Sequence, residues 1–176
     1  VIETPRLLLR RWRESDRPAF AAMNADADVM RYFPALLTRR ESDAIIDRID
    51  AAIASKGYGL FALERRQDGA FLGFTGLSDV DFSCPVEGDV EIGWRLRRDA
   101  WGQGYATEAA KASLRFGFDH LRLQRIVSFT STANIASQNV MQRIGLERRP
   151  DLDFDHPRLA ADSPLSRHVV YAKGAA

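Results

Sequence analysis

Four things are scarce in this chain, and each scarcity removes a class of answer. There is one cysteine, Cys84, in 176 residues, so no internal disulfide forms and a reducing, cytoplasmic setting suits the protein. Cys84 is also a poor candidate nucleophile, since it precedes Pro85 in a turn-like stretch with no base beside it. Charge of one sign is missing: 25 Lys and Arg face 24 Asp and Glu, a net of +1, which gives no reason to expect nucleic acid as a partner. The arginine clusters Arg10, Arg11, Arg13 and Arg97, Arg98 read as solvated strand ends. No leader pattern and no apolar run long enough to cross a bilayer are present, so no membrane partner is expected. The chain opens on Val1 rather than Met, from which we expect a few native residues ahead of it. Metal-ligand clusters are absent as well. Asp151, Asp153 and Asp155 have calcium-loop spacing, but His156 fills the place where glycine is required.

What is present suits one domain over 1–176 with a sizeable core: 45% of residues are hydrophobic and 28% charged. Helical and strand patterns alternate without repeats or linkers. A strand is expected at Arg6–Trp12, then a helix at Ser15–Asn24 with Pro18 in its first turn. Thr38-Arg39-Arg40-Glu41 is a capping-box signature for a helix carrying Ile45, Ile46, Ile49 and Ile53 and ending near Gly57. Strands follow at Gly59–Arg65, Phe71–Val80 and Asp89–Arg97, the first two separated by Gln67-Asp68-Gly69. Later strands are expected at Ile126–Thr132, Leu146–Arg149 and Arg167–Lys173, with 151–164 as a loop. The pattern is α+β, one mixed, largely antiparallel sheet flanked by helices.

The stretch from Asp89 to Phe118 carries the chemistry. A strand pattern stops at Trp101-Gly102-Gln103-Gly104-Tyr105-Ala106, and a helix opens at once with small residues. Two glycines at such a junction let backbone N–H groups approach an anion, and the helix start adds partial positive charge. A Walker loop is excluded because Tyr105-Ala106 follow Gly104 where Lys-Ser or Lys-Thr would stand. A dinucleotide fingerprint is excluded because Thr107 occupies the third small position and no acidic residue closes a parallel unit. Downstream, Arg125–Leu146 reads as a strand and then helix-start chemistry at Asn134–Ser137. An apolar stripe follows at Val140, Met141 and Ile144, and Gly145 is the stop.

Taken together, Trp101–Ala109 (W-G-Q-G-Y-A-T-E-A), the opening T-P-R-L-L-L-R-R-W, and Asn134, Ser137, Gly145 and Leu146 resemble the GNAT N-acetyltransferase superfamily. The wording is closest to its branch typified by RimJ and RimL, the ribosomal-protein N-terminal acetyltransferases. The resemblance runs from Thr4 to about Lys173. It implies the GNAT fold, a central sheet of six or seven strands with one splayed pair and about four helices. It also implies acetyl-CoA as cosubstrate, no metal, and an amine acceptor, either a protein N-terminal α-amine or a small molecule. A homodimer is compatible with the family, though no motif establishes one.

The resemblance further assigns Gly93, Trp94, Arg95 and Leu96 to the strand along which the pantetheine arm lies. Trp101, Gly102, Gln103, Gly104, Tyr105, Ala106 and Thr107 form the diphosphate cradle, and Asn134, Ser137 and Asn139 are further cofactor contacts. Alternation sets Glu91, Gly93 and Arg95 on one sheet face and Ile92, Trp94 and Leu96 on the other. Gly93 reads as a close-approach position or a β-bulge. Many GNAT members place a tyrosine four residues before the helix-closing glycine as proton donor. Met141 stands there and has no proton to give, so Ser137 is the implied substitute, the alternative being a helix cap. Glu91 is the candidate base, the alternative being an exposed residue paired with Arg95. Glu108 reads as a helix-dipole residue, and His156 and His168 as structural. Tyr32, Phe33 and Phe154 are expected to line a pocket or fill core, with Asp28–Leu37 and Asp151–Pro164 building the acceptor side. A non-catalytic acyl-CoA-binding module is the competing reading.

Overall fold

Alternating apolar residues at Leu7 and Leu9 are fully buried, and a computed structural model, describing residues 1–175, shows what they are buried against. The strands are β1 (Ile2–Glu3), β2 (Leu7–Arg10), β3 (Leu60–Arg65), β4 (Phe71–Asp79), β5 (Val90–Leu96), β6 (Arg125–Ser131), β7 (Glu147–Arg148), β8 (Phe154–Asp155) and β9 (Arg167–Gly174). They form one sheet in the order β1-β2-β3-β4-β5-β6-β9-β7, with β8 also on β9. The sheet exceeds the expected six or seven strands by two-residue pieces, β1 and β8, too short to leave a period-2 signal. Part of the stretch expected to be loop is therefore a strand, and a short 3-10 turn at Pro150–Leu152 precedes it.

Four α-helices flank the sheet: α1 (Arg17–Asn24), α2 (Arg39–Lys56), α3 (Tyr105–Arg115) and α4 (Ile135–Arg143). Helix α2 starts where its sequence says it should. Thr38 accepts from the Glu41 amide while the Glu41 carboxylate accepts from the Thr38 amide, and Gly57 closes the other end. Its Ile46 and Ile53 enter the core, with Ile45 and Ile49 partly buried at the edge. Helix α3 is anchored by Ala109, Ala110, Ala112 and Leu114, all buried. The small alanines let it lie close to the sheet, and a π-helical turn at Phe116–His120 ends it.

Every neighbouring pair in the sheet is antiparallel except β5 with β6. That parallel pair holds for two rungs only, Val90 with Ile126 and Glu91 with Val127. Beyond them the strands separate, and the Ser128 hydroxyl donating to the Ile92 carbonyl at 2.9 Å marks the fork. On its other edge β5 stays paired to β4 in unbroken register from Val90 to Leu96. Gly93 therefore sits in a regular strand and not at a bulge.

One expectation about charge is overturned. Arg10 is no solvated strand end: it is 5% exposed and held by both oxygens of Asp16 at 2.7 and 2.9 Å and by Glu64 at 2.5 Å. Alternation on β2 sets it on the face opposite Leu7 and Leu9, where the carboxylates that neutralise it come from positions 6 and 54 residues away. Composition alone cannot show such pairing.

Candidate functional site

The fork between β5 and β6 opens into a cavity of about 710 Å³. Gly93, Trp94, Arg95 and Leu96 form one wall, and Ser128 and Thr130 come from β6. Asn134, Ser137, Asn139 and Met141 line it from α4, and Trp101, Gly102, Gly104, Tyr105, Ala106 and Thr107 close one end. The sequence-derived candidates thus converge from three segments. Two do not reach the lining. Gln103 turns away, its side chain donating to the Asp99 carbonyl at 3.1 Å. Glu91 lies two positions before Gly93, the first β5 residue of the lining, on the last rung that still pairs with β6.

The turn ahead of α3 has the local shape that its glycines predict. Gly102 and Gly104 have φ of 73° and 78°, a region costly for residues with a Cβ. Added side-chain atoms would find nothing within 4 Å at Gly102 and only the Arg6 guanidinium, at 3.5 Å, at Gly104. The N-cap is Gly104, with no side chain closing it, so the first-turn amides of α3 face the cavity end uncapped. A brace that no local pattern announces holds this turn. Arg6 donates to the Gln103 carbonyl at 2.9 Å and stacks on the Tyr105 ring at 4.6 Å. Glu108 accepts from Arg6 Nε at 2.6 Å, from the Arg6 amide at 3.0 Å and from Thr4 at 2.6 Å. Burial works to raise the Glu108 pKa, but the bonds from Thr4 and Arg6 outweigh it and the net shift is downward. Glu108 is therefore a tie between segments about a hundred residues apart rather than a dipole residue alone.

On the α4 side the capping role falls to Asn134. Its Oδ1 accepts from the Ser137 amide at 3.2 Å, and its Nδ2 donates to Thr130 at 3.0 Å. The Ser137 hydroxyl is spared from capping and has no hydrogen-bond partner among the described residues; the side chain is half-buried at the cavity wall. Met141, where a tyrosine proton donor would stand, is 1% exposed and packed in the core. Glu91 is half-buried, and its carboxylate has no hydrogen-bond partner among the described residues and does not pair with Arg95. Burial pushes its pKa up to about 8.

The acceptor side differs from expectation. From the segment after α1, Asp28, Val29, Tyr32 and Phe33 do line the cavity. Asp28 pairs with Arg31 at 2.9 Å and with Arg98 at 2.7 Å. The 151–164 stretch does not line it. Phe154 is core, packed with Val80, Val86 and Val127, and its ring neighbours are Phe82, Phe129, His156 and His168. Both histidines are pushed to lower pKa, first by burial, and they belong to that cluster. The three aspartates there are engaged by arginines: Asp151 by Arg149, Asp153 by Arg148 and Asp155 by Arg167. No group of three or more metal-ligating side chains occurs among the described residues. No helix among the described residues is long and apolar enough to cross a membrane.

A forked parallel pair beside an uncapped, glycine-fronted helix start is the architecture of an acyl-CoA N-acyltransferase. The chain belongs to the GNAT acetyltransferase family: the model for the acetyltransferase (GNAT) domain matches residues 6–147, and the protein is an acetyl-CoA-dependent acetyltransferase. It is 32% identical to an uncharacterized N-acetyltransferase, YnaD of Bacillus subtilis, over 84% of this chain and 82% of that one. The fold matches the crystal structure of a GNAT-family acetyltransferase from Bacillus anthracis with a TM-score of 0.80 at 24% identity, covering 98% and 97% of the two chains. It also matches Mycobacterium smegmatis RimJ in complex with CoA-disulfide, with a TM-score of 0.75 at 20% identity, covering 96% and 82%. These structural likenesses show the fold.

Proposed function

We propose that the protein transfers the acetyl group of acetyl-CoA to a primary amine by direct attack, without a covalent enzyme intermediate. One observation carries the reading: the open start of α3 and the unpaired edge of β5 meet in one cavity. Uncapped amides between Gly102 and Thr107 suit a diphosphate, and the glycines leave it room. The edge of β5 from Gly93 to Leu96 offers backbone groups to an extended amide-bearing arm, much as a strand adds to a sheet. When bound, acetyl-CoA supplies an activated thioester to the fork.

The roles of the protein groups follow from their chemistry. A backbone N–H on β5 beside the fork polarises a carbonyl as negative charge develops on its oxygen. The uncommitted Ser137 hydroxyl donates a hydrogen bond to sulfur as it leaves. Glu91, at the fork and with a raised pKa, accepts the amine's proton through water, since it stands back from the cavity lining. An α-amine with a pKa of about 8 retains a useful neutral fraction near neutrality, whereas a lysine at about 10.4 does not. The N-terminus of a protein or a small amine of comparable basicity is therefore the acceptor class favoured.

The test is release of free thiol from acetyl-CoA over a panel of amines, with wild type and Ser137→Ala. Turnover is expected to fall about tenfold in the variant, close to 1.4 kcal/mol of barrier, while acetyl-CoA affinity by calorimetry stays within about threefold. Equal turnover in the variant would remove Ser137 from the mechanism. CoA binding without thiol release for any amine would abandon the transfer reading.

A further inference from the structure

We infer that Arg95 is an anion anchor for the acceptor, so that the amine acetylated here also carries a carboxylate a few carbons from its nitrogen. This deepens the acetyl-transfer reading and rests on it for the identity of the ligand.

Arg95 lines the cavity from the face of β5 shared with Gly93. Its guanidinium lies over the Phe33 ring at 4.1 Å and near Phe74 at 5.4 Å. Nη1 donates to Asn24 Oδ1 at 2.7 Å. Asn24 is fully buried and its amide nitrogen donates to Ser42, itself fully buried, at 3.1 Å. The amide is thereby oriented to hold Arg95 in one pose. No carboxylate among the described residues pairs with this guanidinium, and its Nε is shielded from solvent with no partner. Nη2 has no partner either. A cation so placed bears a desolvation cost with no charge to offset it. Desolvation draws its pKa down to about 10, which still leaves it charged at neutral pH.

The rest of the cavity adds no compensating acid. Asp28 is the acidic side chain in its lining, and Arg31 and Arg98 already occupy it. Arg31 and Arg143 make the lining still more positive. Space runs from Arg95 toward the fork. At Gly93 an added Cβ would meet only Leu60 Cδ2, at 4.0 Å, and residues two apart on one strand face are about 6.6 Å apart. A ligand over Gly93 can hold an amine near the fork and an anion at Arg95. The anion could instead be a coenzyme phosphate. Against that, the cradle fronts α3, which packs on the opposite face with Ile92 and Trp94, while the partners of Arg95 come from α1, β4 and the segment after α1.

The test uses glycine peptides of two to four residues, whose α-amines titrate at about 8, each matched with its C-terminal amide, in the thiol-release assay. Wild type is expected to favour the carboxylate by tenfold or more in kcat/KM at the best length. Arg95→Gln should bring that ratio to within about twofold, and Arg95→Lys should retain part of it. No carboxylate preference at any length, or a preference that survives Arg95→Gln, overturns the inference. Tenfold weaker acetyl-CoA binding in Arg95→Gln with the preference intact assigns the residue to the coenzyme and also overturns it. A second readout is independent of turnover and of the variant's fold. By calorimetry with CoA present, N-acetyl-diglycine should bind wild type at least tenfold more tightly than its amide. Should no amine turn over, that binding ratio decides the anchor alone: tenfold supports it and equality sinks it.

Discussion

Arg10 and Arg95 project from strands of the same sheet into largely dehydrated surroundings, yet they are treated in opposite ways. Arg10 is closed off by Asp16 and Glu64, every available charge answered from within the chain. Arg95 receives a single neutral amide and two aromatic faces. The first arrangement is how this fold completes itself. The second is how it leaves something for a ligand to complete. The same contrast holds for backbone. Between β2 and β5 the ladders run continuously but for one register shift at Leu63/Glu64, whereas β5 and β6 part after two rungs.

The largest effect should come from unbalancing the closed region. Asp16→Ala leaves Arg10 with a deficit of buried negative charge and should cost about 3–5 kcal/mol of stability, read by urea unfolding. A loss below about 1 kcal/mol would mean that Arg10 is no better answered than Arg95, and the contrast would fail.

Glu91 probes the open region. Its folded pKa of about 8 lies above its unfolded value near 4.3, so the folded state holds the proton more tightly. That contribution is fully present below the unfolded value and is lost as pH rises through about 8. Glu91→Gln should therefore stabilise the fold at pH 8 by about 1–3 kcal/mol, trimmed by solvent access, and leave it unchanged at pH 4. In the base role proposed for the same residue, kcat/KM for an amine titrating below pH 6 should climb toward a plateau above pH 8 in wild type. It should lose that rise in Glu91→Gln. A profile that is the same in both proteins would dismiss Glu91 as the base.

The smallest effect separates backbone strain from ligand geometry. Gly104→Ala and Gly69→Ala place a Cβ on residues of φ 78° and 71°, and each should lose about 1–2 kcal/mol of stability. Only Gly104→Ala, at the cradle, should also weaken acetyl-CoA binding, by about tenfold in calorimetry. Equal losses of affinity would show that strain and not position governs binding.

Local chemistry made much of this legible from sequence. The Thr38 capping box, the Gly102/Gly104 turn and the Asn134 helix start are all decided within a few residues, and each was readable there. Alternation placed Glu91, Gly93 and Arg95 on one face. What escaped depends on partners distant along the chain. Nothing near Arg10 announces Glu64, nothing near Glu108 announces Thr4 and Arg6, and nothing near Arg95 announces Asn24. The 151–164 stretch failed differently: polar composition suggested an acceptor loop, but Phe154 within it is a core residue that pins the segment to β9.

The Arg6 clamp has a consequence for the order in which the molecule is made. Arg6 and Gln103 are 97 positions apart, so the glycine turn ahead of α3 acquires its support only after a long stretch of chain has closed on itself. Long-separation contacts form late because closure entropy must be overcome first. On the proposed reading of this turn, competence to take up the coenzyme is thus a milestone of complete assembly, and a nascent or N-terminally clipped chain would carry the glycines without the grip.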